Sequence, residues 1–249
     1  MDIETYLENG GVLTNPSNVP PRYRAELLKL MATFVDSELA GAAGFADTIN
    51  AGPGTKERIA AAKIVLEKTS HAEKVLGLMG EFGADEQRYV QHHPWTARLP
   101  READIGTQRS EHDMRLSLFN YPLEGWADAV TMNLLMGRAV GVQMRGFEAV
   151  SYQPLAEAFR EIAPVEKRHA ELAREGLERL VKQGQAAQVE ASVVYWLPRV
   201  AASFSGATGE KLERLRKQGL RLVDGQDERD TWQTEVLAEL AEIGLKTSA

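Results

Sequence analysis

The sequence predicts an all-α protein, a bundle of long helices with shorter ones toward the C-terminus. Three observations carry that reading. Four long segments repeat apolar side chains at the three- and four-residue steps of a helix. No segment alternates apolar and polar residues as a half-buried strand does. No internal repeat of solenoid period is present. The 249 residues are expected to form a single domain, 1–249, large enough to bury a sizeable core.

Residues 1–21 contain several Asn, Gly and Pro and are expected to be an irregular lead-in. A first long helix is predicted from Pro21 to about Asp47, with the inward stripe Leu27, Met31, Phe34, Glu38. A turn over Asn50–Gly54 leads to a second helix, from about Thr55 to Phe82, with the stripe Ile64, Lys68, His71, Val75, Leu78, Phe82. Gly83 supplies its stop. Residues 84–122 are the least regular stretch. A third helix is expected over 123–150, with Trp126, Val130, Leu134, Gly137, Gly141, Met144 and Glu148 on one side. The fourth opens at Pro154, an acceptable first-turn proline, and reaches about Gln183. Its stripe is Leu155, Phe159, Ile162, Glu166, His169, Ala173, Leu177, Leu180. Shorter helices are expected near 187–204, 209–223 and 227–243.

Composition narrows the function classes. The net charge of −7 argues against nucleic acid or an anionic membrane as the main partner. The absence of cysteine excludes disulfides, zinc–thiolate sites, iron–sulfur clusters and thiol nucleophiles. The acidic N-terminus lacks an apolar signal core, and no run approaches the ~18 apolar residues of a membrane span. The expected location is the cytoplasm.

Glu38, Lys68, His71, Glu166 and His169 interrupt otherwise apolar stripes on three helices. Desolvating an unpaired ion costs several kcal/mol, so such groups enter a core paired or on a metal. Singly, each has an ordinary reading: a carboxylate on a buried arginine or tyrosine, a hydrogen-bonded core histidine, a lysine that snorkels to the surface. Together they form a constellation. Glu166 and His169 make a Glu-x-x-His step on an inner face, and Lys68 stands three residues before His71, where a second step would carry glutamate. Two such steps, plus a carboxylate from each of two further helices, hold a pair of iron or manganese ions in ferritin-like bundles. Glu67, about 100° around the helix from Lys68, is the poorer candidate for the interior.

Other residues have weaker claims. Pro164 should kink or bulge the fourth helix just before Glu166. Gly137 and Gly141 imply either close helix approach or an open pocket. His92, His93 and His112 fall outside any stripe and read as loop or surface residues. Arg138 and Arg145 read as solvated, or as partners of an anionic ligand.

The chain resembles the ferritin-like subunits of bacterial phenylacetyl-CoA epoxidase, a multicomponent oxygenase of phenylacetate degradation. It is nearer to the catalytic subunit than to the non-catalytic paralogue. The resemblance rests on Ser37-Glu38, Pro53, His71, Phe119-Asn120-Tyr121-Pro122, Trp126-Ala127-Asp128, Ser151-Tyr152 with Pro154, and Glu166-x-x-His169. It spans about 22–205, with a weaker echo to 243. It implies a ferritin-like four-helix bundle in which Glu38, His71, Glu166 and His169 match di-iron ligands. Two ligand positions depart: Lys68 replaces a glutamate, and Gly137 replaces the third helix's carboxylate.

Two carboxylates and an added ammonium balance far less positive charge than a di-iron centre carries. Three outcomes follow. Lys68 pairs with Glu38 and Glu166 and no metal binds. Alternatively Glu38, His71, Glu166 and His169 hold one iron or manganese ion, with Lys68 neutral or turned away. The least expected outcome is a full dinuclear site. The matching functions are a structural, regulatory or acyl-CoA-binding subunit with a degenerate site, an active monooxygenase acting on an aromatic acyl-CoA, and a ligand-free scaffold. Whether the chain is an enzyme stays open on these grounds. The expected partners are other ferritin-like subunits, in a homo- or hetero-oligomer.

Overall fold

The computed structural model describes residues 2–109 and 112–246. Among them there is no β-strand, and an isolated parallel bridge joins Leu13 to Tyr152. The fold is an all-α helical bundle, as the periodicity predicts.

The lead-in is less irregular than expected. It holds a short helix, α1 (Ile3–Glu8), because the Asp2 carboxylate accepts from the backbone N–H groups of Glu4 and Thr5 at 2.8 and 3.1 Å. Next come α2 (Pro21–Thr48), with Pro21 in its first turn, and α3 (Thr55–Glu81). Gly83, at φ +93°, takes the left-handed conformation that stops α3. Within the irregular stretch Asp85 caps a short α4 (Glu86–His92), accepting from Arg88 N–H at 2.9 Å.

Helix α5 (Trp126–Phe147) begins later than expected, because Gly125 sits at φ +86° immediately before it. Helix α6 (Gln153–Lys182) runs helical through Pro164, which lies on its exposed side. Then follow α7 (Ala186–Ala201), α8 (Gly209–Lys217) and α9 (Gly225–Glu242). The left-handed Gly219, at φ +62°, helps end α8 well short of residue 223.

Helix α2 lies along α3 and α5 along α6, and contact between α3 and α6 joins the two pairs. Helices α7 and α9 cover the back of α5, so every residue from Ala127 to Gly137 is buried. That corrects the one-sided stripe expected for this helix: Gly141 is exposed, and Trp126 and Glu148 are only half-buried. The stripe of α6 lies inward throughout, from Leu155 to Leu180. Among the described residues no helix is long and apolar enough to cross a membrane.

Candidate functional site

The five polar stripe residues meet. Each sits near the middle of α2, α3 or α6, and none is more than 8% exposed. Lys68 is the hub. Its Nζ donates to Glu38 Oε1 at 3.0 Å and to Glu166 Oε1 and Oε2 at 3.2 and 3.0 Å. His71 Nδ1 lies 3.0 Å from Glu166 Oε1 and 3.4 Å from Glu38 Oε2. His169 Nδ1 lies 3.4 Å from Glu166 Oε1, without hydrogen-bond geometry. The two imidazole rings are roughly parallel, with centroids 6.2 Å apart.

The electrostatics follow from burial opposed by charge. Desolvation pushes the Glu166 carboxyl upward, but the Lys68 charge, the close approach of His169 and the hydrogen bond with His71 outweigh it and hold the carboxyl well below its ordinary value. Desolvation pulls Lys68 down, and Glu166 and Glu38 more than reverse this. His71 is likewise pulled down by burial and raised by Glu166 and Glu38, to about 9. At neutral pH the Glu166 carboxylate therefore faces the Lys68 ammonium and the His71 imidazolium.

Glu67 also joins the cluster, more closely than its place on α3 suggests. Its Oε2 lies 2.7 Å from His169 Nε2, although its side chain is 28% exposed. A position one step round the helix from Lys68 still reaches a histidine on α6, because the glutamate stem is long. His169 thus links the buried Glu166 to a carboxylate in contact with solvent.

Gly137 marks a close approach. A Cβ built there would lie 2.9 Å from the Ala170 Cβ, so α5 passes α6 with no room for a larger side chain on that line. At Gly141 a Cβ would meet nothing within 4 Å, and the residue faces the outside. The two glycines have different roles despite their shared spacing.

Glu38, Lys68 and Glu166 form part of the wall of a cavity of about 800 Å³. Phe34, Phe45, Phe119, Met132 and Met136 supply apolar wall. Lys29, Arg109 and Lys211 line it too and are exposed, with the Glu26 carboxylate 3.8 Å from Lys211.

His93 is a correction to the surface reading. Its side chain is 3% exposed, and Nε2 lies 3.1 Å from Asp36 Oδ2 and 3.2 Å from Asp113 Oδ1. The ring is stacked between Tyr89 and Trp95, at centroid distances of 5.9 and 5.6 Å. Burial lowers its pKa, but Asp113 and Asp36 raise it to about 9. Asp36 also accepts from the Tyr89 hydroxyl and the Met114 N–H, and the Arg115 guanidinium bonds Asp113 at 2.6 Å. This triad ties the irregular stretch to α2. No periodicity marks His93, but the aromatic residues at 89 and 95 were a signal that it is covered. His92 and His112 are exposed, as expected.

Arg138 is not solvated: it forks onto Glu239 of α9 at 2.7 and 2.6 Å. Arg145 is exposed, 3.5 Å from Glu235.

Comparison with known proteins supplies the lineage. No curated relative matches the chain. A family model described as phenylacetic acid catabolic protein matches residues 12–249, nearly the whole length. The chain belongs to the phenylacetic acid catabolic protein family.

Proposed function

We propose that the chain is a ferritin-like subunit that has exchanged its metal centre for an internal ion-pair network and retains a ligand cavity beside it. The observation that carries this reading is the Lys68 ammonium, buried and hydrogen-bonded to both Glu38 and Glu166. It stands between the carboxylates where a cation would bind, and it supplies the charge compensation a metal would otherwise give.

A dinuclear centre does not fit these residues. The ammonium would lie within a few Å of both ions, and the repulsion in a dry interior is large. Gly137 offers no carboxylate, and Ala170 blocks the space for one at that point. His169 directs Nε2 to Glu67 instead.

One observation favours a second reading. Glu38, His71 and Glu166 each offer a ligand atom, all within 4.8 Å of one another. A single divalent ion held there, with Lys68 displaced, would supply Lewis-acid or redox chemistry. The charge count favours the lysine form, because displacing Lys68 strands a buried ammonium.

The cavity suits an acyl-thioester type of ligand. Its volume is that of an ordinary small-molecule site. The apolar wall takes an acyl group, and the rim of Lys29, Arg109 and Lys211 suits an anionic head such as that of coenzyme A. We infer a structural, regulatory or acyl-CoA-binding role in phenylacetate catabolism, in an assembly with other ferritin-like subunits.

Calorimetric titration of the purified chain with phenylacetyl-CoA and with free coenzyme A tests the binding reading. Binding of the thioester, weakened by Arg109→Ala or Lys211→Ala, is the expected result. No heat with either compound overturns it.

A further inference from the structure

We propose that helix α8 is a hinged cover on the cavity, swinging off α2 about its two anchored ends to admit ligand, with Glu26 as its latch. The inference rests on the ligand-binding reading above and names how entry to that site is controlled.

Residues 204–225 run from just after α7 to the start of α9, and the two ends of this excursion meet, as in an Ω-loop. The Arg221 guanidinium fills the base. A Cβ built on Gly206 would lie 2.5 Å from it, and one on Gly225 would lie 2.9 Å from it and closer still to the Phe204 carbonyl. Glycine at both positions lets the two legs close on one side chain. Arg221 also donates to Glu228 of α9 and to the Val223 carbonyl, both at 3.2 Å. A second anchor lies where α8 ends. The Gly219 carbonyl accepts from the Ser151 N–H at 2.9 Å, and the Ser151 hydroxyl donates to the Gln218 carbonyl.

Between these anchors α8 is held weakly. Among the described residues, no backbone hydrogen bond of 207–217 reaches outside the segment 204–221. The polar hold on the rest of the protein is a set of ion pairs. Lys211 and Arg214 lie 3.8 and 3.6 Å from Glu26 of α2, and Lys217 lies 3.8 Å from Glu4 of α1. All of these side chains are at least partly exposed, and such pairs contribute little. The buried apolar side chains of α8 are Leu212 and Leu215. A helix with so few buried contacts opens at much lower cost than the whole fold.

The same helix is a wall of the cavity. Ala207, Thr208, Lys211 and Leu215 line it, together with Glu26 and Leu30 of α2. The latch therefore lies in the wall, and parting Lys211 and Arg214 from Glu26 widens the cavity between α8 and α2. An anionic group that reaches Lys211 competes with Glu26 for the same ammonium, so a charged ligand favours release of the latch.

Two measurements on the full chain test this. In native-state hydrogen exchange the α8 amides should exchange together, roughly 100-fold or more faster than those of α5. Glu26→Gln should speed exchange in α8 by roughly 2- to 10-fold and leave α5 unchanged. For the second, the chain has no cysteine, so Glu26→Cys with Lys211→Cys supplies the only two thiols. They are joined by a bis-maleimide whose spacer carries a reducible disulfide, and rapid mixing with phenylacetyl-CoA reads entry. The tether should slow entry by about tenfold or more, and reduction of the spacer should restore it. Amides of α8 that exchange only with those of α5 overturn the proposal, as does exchange in α8 that Glu26→Gln leaves unchanged. Entry rates within about a factor of two before and after reduction also overturn it, while ligand binding itself then stands. No binding by the untethered chain overturns the ligand-binding reading, and the cover with it.

Discussion

The Lys68 ammonium lies 3.0 and 3.2 Å from the two oxygens of Glu166, so one lysine on α3 spans the buried carboxylate on α6. The same ammonium reaches Glu38 on α2 at 3.0 Å, and three helices are thereby joined through one charge.

Removing that charge should be costly. Lys68→Ala leaves Glu38 and Glu166 buried with only the His71 imidazolium against them. Breaking one partner out of a buried network typically costs about 3–5 kcal/mol. Denaturant unfolding should show a loss of that order. In Glu166→Gln combined with Lys68→Met, which removes both charges, the loss should be well below the sum of the single effects.

The two glycines of α5 should respond with opposite signs. Replacing a helical glycine by alanine normally stabilises by roughly 0.5–1 kcal/mol. Gly141→Ala should show this gain, since nothing lies within 4 Å of the new Cβ. Gly137→Ala should instead destabilise by about 1–3 kcal/mol, the usual range for overpacking. The Ala170 Cβ it meets at 2.9 Å is fixed to the α6 backbone and cannot swing away. Thermal melts of the two variants provide the comparison.

Stability should decline on the alkaline side. His71 and His93 both titrate near 9 in the folded protein, against about 6.5 for an unperturbed histidine. In that window the native state binds more protons than the unfolded state, so unfolding free energy falls as pH rises. The contribution is complete below about pH 6.5 and is lost as pH passes through about 9. His93→Gln should flatten part of this slope and lower stability, because it takes the imidazolium away from the Asp36 and Asp113 carboxylates. On the acid side, Glu166 is held low, so its contribution is present above its ordinary pKa and is lost as pH falls toward its folded value. Chemical denaturation at a series of pH values reads both limbs.

The long helices and the five residues at their centre were legible because period and burial are the same information on an amphipathic helix. Leu155 to Leu180 fall in register, and Glu166 and His169 stand out as the polar exceptions within that register. The reading weakened where an element is covered on several sides. For α5 the stripe gave Gly141 an inward place, although α7 and α9 bury the helix from directions that no single face describes. It failed where no period exists. His93 acquires its burial from Asp36 and Asp113, the second of these twenty residues downstream, and from two aromatic rings, and only tertiary contact assembles them. Glu67 was set aside by angle alone, and side-chain length overcame the angle.

We read Lys68 as standing in place of a metal ion. The direct measurement is elemental analysis of the purified chain after expression in medium supplemented with iron and manganese. Much less than one ion per chain is expected, with native helical content retained. Close to one or two firmly bound iron or manganese ions per chain, retained through gel filtration, would contradict it.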